Sequence, residues 1–515
     1  MTEDPQSPPE IHPDPDWPFP LPGSGRDVVS HLTAPPPAGV FRSYDVRGRT
    51  AGPMDHDPAL LTPFSANVLG RAFGTRLAAQ AIDTVVVGHD SRAYAPTLAG
   101  GLIEGLLSTG RRVIALGLAT TPMVYFAQHH LGVPAGVAVT ASHNPNGWAG
   151  FKLSDEPSTT FGPEEIAELR TLAQQGRFAR GTGTYVEHSV TQAYVDRLAA
   201  TTPARHPLRV VVDGGNSISG PVAAAAFTAA GHEVVPLNLE LDWSFPNHEP
   251  DPELLEARTQ LAAAVRDHGA DLGVALDGDG DRLGVTDERG TTVYADRVVA
   301  LLARDVLARH PGARIVYDVK CSRLVGDVVR AAGGVPVMGP TGHSHIKREM
   351  RRLGAPFAGE RSGHLFDAVD HLGFDDAVHA GLRLAHVLGA AGTTLSALVD
   401  GLPHYLSSPT MQAACPDEVK DRVVAEVAEE LLARSEPEQV VRVDGLRAEF
   451  PDGWLLVRAS TNLPALVLLC EGRDEAALQR TYRLLREVLD ERPEVDPVWQ
   501  NDTLGGPPPR REGGQ

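Results

Sequence analysis

The 515-residue sequence predicts an α/β protein with three similar domains in tandem, followed by a fourth, antiparallel α+β domain. Three short apolar runs rich in β-branched residues each close on an aspartate, at 84–90, 208–213 and 313–318. Each is followed by a helix-length segment and then a second short apolar run, at 112–116, 232–236 and 334–338. Strand, helix and strand at this spacing are typical of the βαβ unit of a mostly parallel sheet. Chance similarity of three short strands is the alternative interpretation.

The fourth domain is predicted from a change in pattern near residue 404. Residues 416–434 have helical periodicity, and short apolar runs joined by Asp-Gly turns follow them. An Asp-Gly pair between two such runs is a strong signal of a β-hairpin. The predicted strands and the final helix lie at 440–443, 446–450, 454–457, 465–469 and 474–491.

Composition excludes several classes of protein. A formal net charge of −20 argues against a nucleic-acid partner, because binding a phosphate backbone needs basic faces. We find neither a secretory signal nor an apolar run long enough to span a membrane, and the three widely spaced cysteines form no disulfide or metal pattern. These features predict a cytoplasmic protein.

The sequence divides into six predicted segments. Both ends are rich in proline, glycine or polar residues and are predicted to be disordered. The segments are a Pro-rich tail at 1–37, domain I at 38–188, domain II at 189–291, domain III at 292–403, domain IV at 404–500 and a second tail at 501–515.

Three aspartates between two predicted strands form a candidate metal site. Asp277, Asp279 and Asp281 alternate with glycine between the apolar runs 272–276 and 283–286. Alternate side chains of an extended chain share a face, and the glycines let the backbone curl so that the carboxylates converge. A cation relieves their mutual repulsion, and hard oxygen ligands favour Mg²⁺ or Ca²⁺. Three protein oxygens leave coordination positions open, which suits Mg²⁺ together with a phosphate oxygen.

An EF-hand and a solvated acidic turn are the alternatives for this segment. The EF-hand pattern has acids at positions one, three and five, and Glu288 fits its position twelve. Position six must be glycine but is Arg282 here, and the flanking segments look like strands. We therefore reject the EF-hand, whereas an acidic turn without metal stays open at this point.

A serine at the end of an apolar run is the second chemical candidate. The run 135–139 leads into Ser142, His143 and Asn144, and Lys152 follows shortly afterwards. Taken alone, this loop is more typical of an Asx or Ser turn. It is not a hydrolase site, because no Gly-x-Ser-x-Gly elbow surrounds the serine. Paired with the aspartates, it suggests phosphoryl transfer.

These motifs together resemble the α-D-phosphohexomutase superfamily, and most closely its phosphomannomutase/phosphoglucomutase branch. The two motifs above are TASHNP (140–145) with GFK (150–152), and DGDGDR (277–282). Further matching segments occur in the family's order: FRSYDVRG (41–48), FPNH (245–248), DVKCS (318–322), GHS (342–344), GERSGH (359–364) and RASTN (458–462). The resemblance therefore covers nearly the whole globular chain.

The resemblance implies three mixed-sheet α/β/α domains and a C-terminal antiparallel α+β domain around a central cleft. It implies that phosphorylated Ser142 donates its phosphoryl group to a hexose monophosphate and is rephosphorylated by the resulting hexose 1,6-bisphosphate, which also serves as activator. One Mg²⁺ per chain is implied, held by Ser142, Asp277, Asp279 and Asp281.

The remaining site residues are also implied by the resemblance. Lys152 and His364 are the acid and base candidates, His143 supports the serine, and Arg282 neutralises charge. Glu360 and Ser362 are expected to bind the sugar hydroxyls. The non-transferring phosphate is expected on Arg458, Ser460, Thr461 and Asn462, with further contacts from Tyr44, Arg47, Lys320 and His343. The structural alternatives are that Tyr44 and Arg47 only tie down the entry segment, that Lys320 is a solvated edge residue and that His343 caps a helix.

The last motif departs from the family pattern. Thr461 and Asn462 stand in the reverse of the usual order, and apolar Leu468 and Leu469 replace a basic residue commonly found there. These differences predict weaker phosphate binding or greater dependence on Arg458. A tryptophan-containing loop at 146–149 is a further departure, close to Lys152.

The leading hypothesis is a Mg²⁺-dependent phosphohexomutase acting on mannose phosphates, glucose phosphates or both, as a monomer or homodimer. Phosphoglucosamine mutase is the first alternative, because its sugar-binding loop is similar. A sugar-phosphate-binding protein with little turnover and a Mg²⁺-dependent phosphatase are the alternatives from other classes. No nucleic-acid or membrane partner is expected.

Overall fold

A computed structural model of the protein describes residues 36–50 and 61–505, apart from Asn462. Residues 1–35 of the first predicted tail and 506–515 of the second lie outside this part of the chain, as does Asn462 with its expected role in phosphate binding. Four sheets follow one another along the chain, three mixed and one antiparallel. The predicted fold class is therefore confirmed.

The first sheet has seven strands in the order β1-β5-β4-β2-β3-β7, with β6 paired to β5. The strands are β1 (Val46–Arg49), β2 (Thr84–His89), β3 (Arg112–Leu118), β4 (Ala135–Val139), β5 (Trp148–Glu156), β6 (Thr159–Thr160) and β7 (Thr184–Glu187). The helices are α1 (Pro63–Ala79), α2 (Ala95–Ser108), α3 (Thr121–Leu131) and α4 (Pro163–Gln175).

The second sheet has five strands in the order β12-β11-β10-β8-β9. They are β8 (Arg209–Asp213), β9 (Glu233–Leu237), β10 (Leu272–Leu276), β11 (Leu283–Asp287) and β12 (Thr292–Val293). Helices α5 (Thr191–Thr201), α6 (Ser219–Ala229) and α7 (Leu255–His268) belong to this part. Strand β12 follows residue 291, the predicted end of domain II, but it pairs with β11 and so belongs to the second sheet.

The third sheet has four strands in the order β14-β13-β15-β16. They are β13 (Arg314–Asp318), β14 (Val335–Gly339), β15 (Phe357–Gly359) and β16 (Leu365–Asp367). The helices are α8 (Ala295–Arg309), α9 (Arg323–Ala331), α10 (His343–Leu353), α11 (Ala377–Ala391) and α12 (Leu395–Asp400).

The three mixed sheets share one topology. The orders β3-β2-β4-β5, β9-β8-β10-β11 and β14-β13-β15-β16 are equivalent. In each, the first three strands are parallel and the fourth is antiparallel to its neighbour. The repetition predicted from the three apolar runs is therefore a repetition of the whole supersecondary unit.

The fourth sheet is antiparallel in every pairing of its strands within the described residues. Its strands are β17 (Leu406–Ser407), β18 (Met411–Ala414), β19 (Gln439–Val441), β20 (Leu446–Phe450), β21 (Gly453–Ala459) and β22 (Ala465–Gly472). Helices α13 (Lys420–Arg434) and α14 (Glu475–Asp490) cover it. The side chain of Asp474 caps α14 by accepting the Ala477 N–H at 2.8 Å.

Buried side chains link the domains. One apolar cluster runs from Met123 of the first domain through Val274 of the second to Phe374 of the third. The fourth domain has its own core and joins the third through Trp454 and Val319. Within the described residues, no helix combines the length and apolar character needed to cross a bilayer.

Candidate active site

Three sequence motifs occupy corresponding positions in the three mixed sheets, and the fourth lies in a connection of the antiparallel sheet. Ser142 lies in the β4–β5 connection, Asp277–Arg282 in β10–β11, Glu360–His364 in β15–β16, and residues 460–464 in β21–β22. Strands β4, β10 and β15 are parallel members of their sheets, so their loops leave at the carboxyl ends, where α/β proteins bind ligands. The shared topology of the three mixed sheets therefore explains why their loops meet at one site.

Ser142 is held in a buried, defined conformation. It is 2% exposed, and its φ of 52° is in the left-handed region that non-glycine residues rarely adopt. Its N–H donates to Thr140 Oγ1 at 2.8 Å, and its carbonyl accepts from Arg92 Nη2 at 2.9 Å. Its hydroxyl donates to Asp277 Oδ2 at 2.7 Å and lies 3.3 Å from His143 Nδ1. The serine predicted as phosphoryl carrier therefore touches the aspartate cluster directly.

The aspartate cluster is an ordered turn with every carboxylate buried. Asp277 Oδ1 accepts the N–H groups of Asp281 and Arg282 at 3.0 and 3.1 Å, which curls the segment around it. Thr121 Oγ1 at the start of α3 donates to Asp279 Oδ2 at 2.5 Å. Gly278 is required by close approach, because a Cβ there would lie 2.6 Å from the Ser142 carbonyl oxygen.

Lys152 on β5 is the cation that faces this cluster. Its Nζ donates to Asp279 Oδ2 at 2.7 Å and also to Asp281 Oδ2. Burial acts to lower the pKa of Lys152, but Asp279 and Asp281 outweigh it and raise that pKa well above its ordinary value. Lys152 is therefore held as an ammonium ion.

The carboxylates respond unequally to this arrangement. Burial, reinforced by Asp279 and Asp281, raises the pKa of Asp277 well above its usual range. Burial also acts to raise the pKa of Asp279, but the charge of Lys152 and its hydrogen bond outweigh burial and lower the pKa of that carboxyl below its usual range. The charge of Lys152 thus offsets that of Asp279 more than that of Asp277.

The cluster fits a divalent cation. Asp277, Asp279 and Asp281 place one oxygen each within 4.8 Å of one another. Asp279 Oδ1 and Asp281 Oδ1 are buried and have no hydrogen-bond partner among the described residues, which is unfavourable unless a cation takes them as ligands. These atoms and the Ser142 hydroxyl are hard oxygen donors of the kind that Mg²⁺ prefers.

His364 joins the third domain's loop to the aspartate turn. Its Nε2 accepts a hydrogen bond from Arg282 Nε at 3.0 Å, so this nitrogen carries the lone pair. Its Nδ1 lies 3.2 Å from Asp375 Oδ2 and 3.7 Å from Asp281 Oδ1. Because Arg282 donates to Nε2, the ring proton lies on Nδ1.

The predicted sugar-binding loop supplies a buried carboxylate. Glu360 is 1% exposed, and its Oε1 accepts the Gly342 N–H at 2.7 Å, while its Oε2 has no hydrogen-bond partner within the described part of the chain. Burial raises the pKa of Glu360. Ser362, two residues after Glu360, is partly exposed. Asp318 accepts the Arg361 N–H of the same loop at 3.0 Å and lies 3.6 Å from Lys320 Nζ. An unpaired buried oxygen in this loop suits a hydroxyl-bearing ligand.

The entry segment at β1 contacts two of the motif loops. Arg47 pairs with Asp45 at 2.7 Å and donates to Asn144 Oδ1 at 2.6 Å, so it supports the serine loop. Tyr44 packs edge-on against His343, with ring centroids 5.0 Å apart. His343 is the first residue of α10, and its ring stacks at 5.5 Å on His364. These residues have structural contacts at the site in addition to any role in binding.

The distal loop of the fourth domain is more open. Arg458 is 4% exposed and donates to Asp444 Oδ2 at 2.8 Å. Thr461 lines a cavity of about 310 Å³ together with Arg42 and Lys420. Lys420 Nζ donates to the carbonyls of Ser460 at 2.6 Å and Leu463 at 3.2 Å. The loop lacking the family's usual downstream basic residue is thus held by a lysine from α13.

Several residues at the site were missed by sequence reasoning. Arg92 holds the carbonyl of Ser142, Thr121 binds Asp279, and Asp375 faces His364. Arg92 lies two residues after Asp90, the aspartate that follows β2, and Asp375 lies in the Asp375-Asp376 pair before α11. An acidic residue at a strand end and an acidic pair at a helix start were the sequence signals that could have indicated these two residues. Lys420 is far from its loop in sequence and gave no signal.

Comparisons with known proteins agree with this architecture. The chain matches the four domain families described as phosphoglucomutase/phosphomannomutase: alpha/beta/alpha domain I at residues 38–180, domain II at 185–290, domain III at 294–405 and the C-terminal domain at 412–487. It is 37% identical to a phosphoglucomutase of Neisseria gonorrhoeae over 465 residues, covering 89% of this chain and 98% of the relative.

Two further relatives are similar over the same extent. The phosphomannomutase/phosphoglucomutase of Pseudomonas aeruginosa is 37% identical over 453 residues, covering 88% of this chain and 96% of the relative. A crystal structure of a phosphoglucomutase/phosphomannomutase family protein from Burkholderia thailandensis superposes with a TM-score of 0.81 at 38% identity, covering 88% of this chain and 98% of that one.

Proposed function

Because the chain belongs to the phosphoglucomutase/phosphomannomutase family, we propose that it is a phosphohexomutase that interconverts hexose 1-phosphates and hexose 6-phosphates. The observation that carries the proposal is the 2.7 Å contact between Ser142 Oγ and Asp277, inside a buried cluster that also contains Lys152. A nucleophilic oxygen beside carboxylates suited to Mg²⁺ is the arrangement that phosphoryl transfer requires.

Ser142 acts in this proposal as a phosphoryl carrier. The bond between phosphorus and Ser142 Oγ breaks as a new bond forms to the free hydroxyl oxygen of the hexose monophosphate. The proton of that hydroxyl passes to a base, and Ser142 Oγ receives a proton. The product is a hexose 1,6-bisphosphate, which returns its other phosphoryl group to Ser142 after reorienting in the cleft.

The protonation states at the site support specific roles. Lys152 is held as an ammonium ion by two aspartates, so it suits charge neutralisation; its proposed role as an acid rests on its position beside Ser142 and the cluster and not on its raised pKa. His364 presents a lone pair on Nε2, which suits a base once a sugar hydroxyl replaces Arg282 as its partner. His143 is partly buried, and desolvation lowers its pKa well below the ordinary value, so it supports Ser142 as a neutral ring.

Asp277, Asp279 and Asp281 would hold Mg²⁺ together with the phosphate on Ser142. The bound ion supplies charge neutralisation to the transferring phosphoryl group. Arg282 adds a fixed positive charge: desolvation acts to lower the pKa of its guanidinium, but Asp277 and Asp281 outweigh it and raise that pKa.

The non-reacting end of the substrate is assigned to the other two loops. Glu360 and Ser362 bind the sugar hydroxyls, assisted by Lys320 and His343. Arg458, Ser460, Thr461 and Asn462 bind the non-transferring phosphate, and Tyr44 and Arg47 complete the cleft. We further propose that a hexose 1,6-bisphosphate activates the enzyme by phosphorylating Ser142. The predictions of a cytoplasmic monomer or homodimer, with sugar phosphates as its small-molecule partners, are retained.

A coupled assay of purified protein tests the proposal. Mannose 1-phosphate, glucose 1-phosphate and glucosamine 1-phosphate are supplied separately with Mg²⁺ and a trace of the matching bisphosphate, and the 6-phosphate is measured. We expect conversion of the mannose substrate, the glucose substrate or both. Binding of these substrates without conversion, or release of inorganic phosphate in place of the 6-phosphate, would contradict the proposal.

A further inference from the structure

Two of the sequence motifs have no part in the proposed chemistry, the tryptophan-containing segment at 146–149 and the FPNH segment at 245–248. Both contact residues 90–94, which connect β2 to α2 in the first domain. This β2–α2 connection also contacts the serine loop, residues 140–147, which joins β4 to β5. A single short connection therefore links the serine to both segments.

Arg92 is the centre of the β2–α2 connection. It is 2% exposed. Its Nη2 donates to the Ser142 carbonyl at 2.9 Å and also to the Asn144 carbonyl, and its Nη1 donates to the Pro145 carbonyl at 3.1 Å. Three carbonyl oxygens of the serine loop thus converge on one guanidinium, whose N–H donors form a rigid planar fork.

The neighbours of Arg92 hold the same loop at its two ends. Asp90 Oδ2 lies 3.3 Å from Arg92 Nε and accepts the Ala141 N–H at 3.3 Å. The Tyr94 hydroxyl donates to the Trp148 carbonyl at 2.7 Å and accepts the N–H of the preceding glycine at 3.0 Å. The tryptophan-containing segment is therefore tied to the connection that holds the serine.

The second domain packs over the guanidinium. The Phe245 ring centre lies 5.2 Å from Arg92 Cζ, within the range of a cation–π interaction. Phe245 is 7% exposed, and its φ of 51° is in the left-handed region. The N–H of Ile218, next to the start of α6, donates to Ser91 Oγ at 3.2 Å. The connection therefore joins the serine loop to the domain that carries the aspartate cluster.

We propose that Arg92 is a positioning residue that holds the serine loop in its strained conformation and so aims Ser142 Oγ at the aspartate cluster. A left-handed serine persists only where its surroundings fix the backbone, and Arg92 fixes the carbonyls that follow the strained bond. It bonds the carbonyl of Ser142 and not its hydroxyl, so it sets the direction of Oγ. Phosphoryl transfer depends on in-line placement of that oxygen, so Arg92 acts on the transfer step and not on sugar binding.

This inference rests on the proposed function, but its direct readout does not need turnover. Amide hydrogen exchange is followed by mass spectrometry in the wild type, Arg92→Lys and Arg111→Lys. Arg111 is the matched control, because it also donates to a backbone carbonyl, that of Ile82 at 2.6 Å, before the other end of β2. We expect exchange in peptides covering the serine loop to be at least tenfold faster in Arg92→Lys and unchanged in Arg111→Lys.

The exchange experiment separates the two claims. Serine-loop exchange of wild-type rate in Arg92→Lys would overturn the inference, as would equal acceleration in both variants. A wild type without mutase activity, with the expected exchange pattern, would overturn only the proposed function.

Kinetics separate positioning from binding. Lysine keeps the charge but cannot reach three carbonyls with a planar fork, so we expect Arg92→Lys to lower kcat at least tenfold with KM within twofold. Phosphorylation of Ser142 by a hexose 1,6-bisphosphate, timed by intact mass, should slow at least tenfold as well. Arg111→Lys should stay within twofold of the wild type in each measurement. A rise in KM at unchanged kcat, or equal losses in both variants, would overturn the inference.

Asp90→Asn covers the case in which Arg92→Lys folds poorly. It removes the charge that pairs with Arg92 Nε but keeps the shape of the side chain. We expect kcat to fall at least threefold with KM within twofold, together with faster exchange in the serine loop. Wild-type kcat and wild-type exchange in Asp90→Asn would overturn the inference.

Discussion

Two serines in the molecule stand in similar loops with different surroundings. Ser142 follows β4 and Ser460 follows β21, and each connection joins antiparallel neighbours. Ser142 is fixed by Thr140, Arg92 and Asp277, whereas the loop after Ser460 contains Leu463 at 45% exposure and is held mainly by Lys420. The first loop has the fixed geometry that bond-breaking requires. The second is suited to accepting a phosphate at either end of a sugar.

The largest expected difference follows from making the same change in both loops. Ser142→Ala removes the oxygen proposed to carry the phosphoryl group, and we expect kcat to fall by about 10³-fold or more. Ser460→Ala removes a hydroxyl that accepts the Leu463 N–H at 3.2 Å. One such hydrogen bond is worth about 1 kcal/mol, so we expect about a fivefold rise in KM. Comparable losses of kcat in both variants would remove the distinction between the loops.

Metal removal should act on the first region alone. We expect chelation to lower kcat by about a hundredfold or more, because Asp277, Asp279 and Asp281 would lose the ion that offsets their charge. Mg²⁺ should restore the activity and raise the melting temperature. Asp281→Asn should weaken that thermal shift, whereas Asp444→Asn near Arg458 should leave it unchanged. A thermal shift that survives Asp281→Asn undiminished would place the ion elsewhere.

A change at Arg458 in the second region is expected to affect KM, whereas changes in the first region affect kcat. Arg458→Lys keeps the charge but loses the bidentate guanidinium, so we expect KM to rise about tenfold with kcat within threefold. Arg442→Lys is the matched control, because this exposed residue pairs with Glu429 on the surface. A fall in kcat at unchanged KM would mean that Arg458 acts on the chemical step.

The smallest expected effect is at Lys420. Lys420→Met removes the cation that holds the carbonyls of Ser460 and Leu463, and we expect KM to rise about threefold through loosening of the loop. Lys420→Arg should recover part of the loss. Steady-state rates measured over a range of substrate concentrations give KM and kcat for each variant and check this prediction. An unchanged KM would show that α13 does not support the loop.

The sequence predicted much of the fold because each repeat begins with an apolar strand closed by an aspartate. Those three strands, β2, β8 and β13, are the centres of equivalent sheets. The small strands β6 and β12 were not predicted, since two residues carry no periodic signal and form by pairing with longer neighbours.

The candidate site was predictable where its residues cluster in one segment. Asp277, Asp279 and Asp281 alternate within a single turn, so their convergence follows from strand geometry. Arg92 and Lys420 were not predicted, because each reaches its partner through the tertiary fold. The contact of Arg92 with the Ser142 carbonyl, for example, spans 50 residues of sequence.

The phosphorylation state of Ser142 tests the central claim most directly. Wild type, Ser142→Ala and Ser460→Ala are incubated with a hexose 1,6-bisphosphate and Mg²⁺, desalted and weighed by intact-mass spectrometry. The account predicts one phosphate on the wild type and on Ser460→Ala, none on Ser142→Ala, and loss of the phosphate from the wild type when hexose monophosphate is added. A phosphate that persists in Ser142→Ala would contradict it, as would a wild type that never acquires one.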